Sequence, residues 1–126
     1  MMTTHAFEAK LVQGGTPTTV RVSRDDSGEL HLGSPEATSL LEQLLVYDLG
    51  EDADEATGLA EELQAVGTGR AHARTRAWNL VRLDIGPVTS ELRLQLPDAD
   101  QPVAVITREL HDVVRAYAQF LEATEA

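Results

Sequence analysis

GRAHARTRAWNLVRLDIGPVTSELRLQL, Gly69 to Leu96, is the stretch whose reading decides the fold. Arg70, His72, Arg74, Arg76, Trp78, Leu80 and Arg82 take alternate positions, with Ala71, Ala73, Thr75, Ala77, Asn79, Val81, Leu83 and Ile85 between them. Side chains alternate faces along a strand, so one face should be small and apolar and the other basic and aromatic. Gly86-Pro87 breaks the run as a turn. On the return, Val88, Ser90, Leu92, Leu94 and Leu96 should point one way, and Thr89, Glu91, Arg93 and Gln95 the other. That is the pattern of a half-buried antiparallel strand. The expectation is one long β-hairpin with an uncovered basic face, although residues 70–75 also read as a loop leading into it.

Working outward, Phe7, Ala9 and Leu11 alternate with Glu8 and Lys10, giving a strand over 5–12. Gln13-Gly14-Gly15-Thr16-Pro17 is a turn, Thr18 to Ser23 a second strand, Asp25-Asp26-Ser27-Gly28 a turn, and Glu29 to Leu32 a short third strand. Ser34-Pro35-Glu36 starts a helix over about 35–48, with cap, first-turn proline and acid in order. Gly50 ends it. Leu59, Leu63 and Val66 suggest a second helix over about 54–66, weakened by Gly58. Residues 97–102 form a loop, which carries Asp98 and Asp100. Val103 to Ile106 form a buried strand, and residues 108–123 the last helix, with Thr107 as candidate cap. The order β-β-β-α-(α)-β-β-β-α implies an α+β fold: an antiparallel sheet of about six strands with helices over one face.

The 126 residues favour one domain spanning 1–126. No apolar run approaches the length of a membrane span, and Met1 to Lys10 lack the apolar centre of a signal peptide. Cys is absent, which removes disulfides and thiolate chemistry. A cytoplasmic protein that does not enter membranes is the expectation.

The formal charge is −11, and it is unevenly placed. From Asp25 to Glu62 there are acids and no Lys or Arg; from Arg70 to Arg82 there are Arg and no acid. Nucleic acid is disfavoured as a partner, because backbone binding needs positive surface. A basic protein partner is favoured on the same grounds.

No catalytic constellation stands out. His5, His31, His72 and His111 are scattered, and no nucleophile elbow is present. His111 beside Asp112 reads as a surface histidine, since helix neighbours do not face each other. Asp52-Ala53-Asp54 opens like a calcium loop but has Ala56, Thr57 and Leu63 where ligands or glycine belong. Gly14-Gly15 and Gly67-Thr68-Gly69 lack the lysine and context of a phosphate loop. No metal, cofactor or catalytic residue is expected.

Two candidate surfaces remain. Asp52, Asp54, Glu55, Glu61 and Glu62 could meet the Lys and Arg of a partner. Arg70, His72, Arg74, Arg76, Trp78 and Arg82 could hold a partner or an anion, since Arg grips carboxylates and phosphates with two bonds. Arg76-Ala77-Trp78-Asn79-Leu80, entering the paired strands, and Asp112 to Leu121, in the closing helix, resemble the YacL-like bacterial proteins in chain length and element order. That resemblance implies a fold more than a role. In size and acidity the chain is also similar to bacterial immunity proteins that neutralise nuclease toxins. The first expectation is thus a non-enzymatic, immunity- or antitoxin-like protein that occludes a basic partner such as a toxin or nuclease. The alternative is an anion-binding or enzymatic domain using the hairpin face, with a homo-oligomer as a third possibility.

Overall fold

A computed structural model describes residues 5–32, 40–95 and 102–124. β1 (His5–Gln13) and β2 (Thr16–Arg24) are longer than the alternation indicates. The turn between them shrinks to Gly14 and Gly15, whose φ values of 58° and 83° suit glycine. The Asp25–Gly28 turn forms as expected, and β3 (Leu30–Leu32) pairs with β2. The opening third is a three-stranded meander.

α1 (Leu40–Gln43) runs on into a π-helical segment (Leu44–Leu49). The Gly50 amide donates to Leu45 O at 2.8 Å, five residues back, and glycine ends the helix at a φ of 58°. The start signal Ser34-Pro35-Glu36 lies outside the described residues. α2 (Ala53–Gly67) then forms despite Gly58, because Ala56, Leu59, Ala60, Leu63 and Val66 give it a continuous buried stripe. Asp52 caps it, accepting from the Glu55 amide at 3.1 Å.

The central stretch departs from the expected single hairpin. β4 (Arg74–Ala77) and β5 (Val81–Ile85) are separate strands that pair with each other. A two-residue turn at Asn79-Leu80 joins them, closed by Trp78 N donating to Val81 O at 3.0 Å. The Asp48 carboxylate pins this turn from the π-helix, accepting from Leu80 N at 3.1 Å and Val81 N at 2.8 Å. Reversal at an even-length turn swaps the parity of the faces. Arg76 lies opposite Leu83, and Arg74 opposite Ile85, so both arginines share the face of the buried residues. Arg82 lies opposite Ala77, on the other face. No single face carries the basic stripe.

β6 (Thr89–Leu94) follows as expected, with Ser90 and Leu92 buried. Val88 does not join them: it lies in the turn before β6 and is 71% exposed. Gly86 is required in that turn, since a Cβ there would lie 2.5 Å from Thr89 O. Leu96 and the loop with Asp98 and Asp100 fall outside the described residues. β7 (Val103–Ile106) leads directly into α3 (Thr107–Thr124). Thr107 is the first residue of that helix and not its cap: its hydroxyl donates to Gly86 O at 2.7 Å and meets Ser90 Oγ at 2.7 Å.

The strands form one seven-stranded antiparallel sheet in the order β3-β2-β1-β7-β6-β5-β4. The extra strand over the expected six comes from the split of 70–85. Two meanders meet where β1 and β7 touch at Gln13 and Val105 alone. Gly14 N donating to Ala104 O and Val12 N donating to Glu109 Oε1 of α3 reinforce that short seam. Leu59, Leu63, Leu110, Val114 and Leu121 of the helices join Val20, Val22, Leu83, Leu92 and Val105 of the sheet in one core. Burial of these apolar side chains is the main force holding the layers together. Phe7 packs edge-on against Tyr117 with ring centroids 5.6 Å apart, and the Tyr117 hydroxyl reaches Gly50 O at 2.8 Å. No helix among the described residues is long and apolar enough to cross a membrane.

Candidate functional site

The two charged segments of the sequence meet along the flank of α2. β4 is the sheet edge strand, and Arg74 and Arg76 reach from it to α2, Arg76 one-third and Arg74 half exposed. Glu55 and Glu62 are seven residues apart, two turns of the same helix face. Arg76 spans them: Nη2 donates to Glu55 Oε1 at 2.6 Å and Nη1 to Glu62 Oε2 at 2.8 Å. Arg74 Nη1 donates to Glu62 Oε1 at 3.3 Å. Trp78 completes the cluster, with its indole donating to Glu55 Oε1 and its ring 5.3 Å from the Arg76 guanidinium.

This network of two guanidiniums and two carboxylates is electrically closed. The remaining cationic candidates are dispersed. Arg82 donates to Asp84 on the opposite sheet face. Arg70 lies at the C-terminus of α2, where its backbone amide donates to Ala65 O and its Nε to Thr68 Oγ1. His72 is exposed. The sequence therefore groups six residues as one surface, and the fold separates them into four places.

The acidic candidates divide as well. Glu55 and Glu62 turn toward β4, and Asp52 holds the helix start. Asp54 and Glu61 are exposed, again seven residues apart, and neither has a hydrogen bond or ion pair among the described residues. They form an uncommitted acidic ridge on the outer face of α2. Glu51 is tied to Arg24 at 3.3 Å.

Two groupings escape the linear reading. Asp48 organises the β4–β5 turn through backbone amides more than thirty residues away, and no local pattern signals it. Asp25, Glu29 and His31 place one potential ligand atom each within 4.8 Å of one another. Asp25 is already occupied: Oδ1 accepts from Ser27 N, Ser27 Oγ and Glu29 N, while Oδ2 lies 2.7 Å from His31 Nε2. The Ser27 hydroxyl, then His31, hold the Asp25 carboxyl well below the usual carboxylate range, and the same contact raises His31 above 6.5. The trio works as a turn clamp.

His111 also differs from the expected surface histidine. Its Nδ1 lies 2.9 Å from Asp112 Oδ1, and its side chain is only 15% exposed. It lies between two grooves beside α3, which both reach it and Gln64. Comparison with family models, with curated proteins and with solved structures gave no match.

Proposed function

We propose that the chain is a non-enzymatic binding protein that occludes a basic protein partner, in the manner of an immunity or antitoxin protein. One observation carries this reading: Asp54 and Glu61 are exposed on α2 with no side-chain partner among the described residues, while Arg74 and Arg76, which reach the same helix, are already paired with Glu55 and Glu62. With a net charge of −11, such a ridge attracts cationic groups at long range and guides association. A cytoplasmic location goes with this reading. The anion-binding alternative on the hairpin face has weaker support, since Arg74, Arg76 and Arg82 each already contact a carboxylate.

Capture from host lysate tests the proposal. The wild-type chain should retain a basic protein at low salt and release it as salt rises. The pair Asp54→Lys and Glu61→Lys should lose that retention while the fold, followed by circular dichroism, is kept. Absence of any basic protein at low salt, or equal retention by the reversed variant, overturns the reading.

A further inference from the structure

One cavity of about 540 Å³ lies outside both charged surfaces, within the usual range for small-ligand sites. Leu63 of α2, Pro87 and Val88 of the β5–β6 turn and Ile106 at the end of β7 give it an apolar wall. Val88 is 71% and Ile106 42% exposed, so these two side chains are wet in the free chain, with Leu63 buried behind them. Covering the two would release water from apolar surface.

Arg108 lines the same cavity. Acids outnumber bases by 21 to 10 in this chain, yet Arg108 has no ion pair among the described residues. Asp112, four residues on, is its natural helical partner. That carboxylate lines the same groove and places Oδ1 2.9 Å from His111 Nδ1, with no ion pair to Arg108 among the described residues. The other nearby acid, Glu109, accepts from Val12 N. A guanidinium is thus left uncommitted beside an apolar groove, a pairing that complements a carboxylate with an apolar body. The adjoining groove, of about 520 Å³, is lined by Glu61 and Glu122 as well as Arg115. Those acids disfavour a second anionic head.

We infer that the groove between the α2 C-terminus, the β5–β6 turn and the start of α3 binds a small monocarboxylic acid with an apolar tail. The head group pairs with Arg108 and the tail lies on Val88 and Ile106. This site is independent of the Asp54–Glu61 ridge.

Methyl NMR on the full chain, titrated with octanoate below its micelle concentration, tests the inference. Saturable shifts at the Val88 and Ile106 methyls are expected. Octanol, which lacks the charge, and suberate, which carries two, should each bind about tenfold more weakly, the typical size of one charge-assisted contact. Arg108→Gln, at an exposed helix position, should weaken octanoate by a similar factor with an unchanged methyl spectrum in the free state. No saturable shift in the millimolar range, octanol equal to octanoate, or undiminished binding by Arg108→Gln each overturns it.

Discussion

His31 shows how one residue can be set by its neighbours without being buried. Its imidazole faces Asp25 at 2.7 Å, and that contact raises its pKa above 6.5. Asp25 is depressed from 3.8, chiefly by the Ser27 hydroxyl and then by His31. The two shifts have opposite signs in pH. A raised histidine contributes fully below 6.5 and loses its contribution as pH climbs through the shifted value. A depressed aspartate contributes above its ordinary range and loses that contribution in acid. The clamp is therefore complete in mildly acidic solution and loosens toward alkaline pH. An NMR titration of the His31 ring should give a midpoint above 6.5, and Asp25→Asn should bring it back toward that value. A wild-type midpoint at or below 6.5 would remove the clamp from the description of this turn.

At the scale of elements, the open face of β5 and β6 carries a conflict. Arg82 lies opposite Arg93, and Asp84 opposite Glu91, so like charges face each other across the strands. Like charges directly opposite destabilise a sheet, and unlike pairs contribute roughly 0.2–1 kcal/mol. Arg82 relieves part of this by bonding Asp84 along its own strand. Glu91→Lys would place a cation opposite Asp84. It should stabilise the fold by roughly 0.5 kcal/mol in denaturant melts, with the slope unchanged. A lower midpoint would show that the Asp84–Glu91 pair is not felt as repulsion. The same two strands show why the sequence was only partly legible. Alternation identifies strand character correctly at Arg74–Ala77, Val81–Ile85 and Thr89–Leu94, because it depends on neighbours two positions apart. It cannot register the turn at Asn79-Leu80, which has no glycine or proline and is held by the distant Asp48. One missed turn inverted the parity of β4 against β5, and with it the location of Arg74 and Arg76. The closing helix carries no such risk: Leu110, Val113, Val114, Tyr117 and Leu121 repeat at helical spacing and all are buried. The α2 stripe was legible for the same reason, whereas the pairing of its other flank with β4 is tertiary information.

For the whole molecule, charge acts twice, and salt separates the two effects. An excess of acids makes the folded chain repel itself, because folding brings the carboxylates closer together. The same excess is what attracts a basic partner in the proposed role. Screening weakens both: the Debye length falls from about 30 Å at 0.01 M to about 8 Å at 0.15 M. The ion pairs of Arg76 with Glu55 and Glu62 span 2.8 Å or less and are partly buried, so they resist screening more than long-range repulsion does. Sodium chloride over that interval should thus raise the thermal midpoint of the free chain while it lowers affinity for a basic partner. Reversing Asp54 and Glu61 to Lys removes two negative charges and adds two positive ones, shifting the net charge from −11 to −7, so the midpoint of that variant should depend less on salt. Thermal melts across the interval check this directly. A wild-type midpoint that falls with salt would mean that short-range attractions outweigh the repulsion, and the acidic exterior would then owe its tolerance to internal pairing instead of being held under strain.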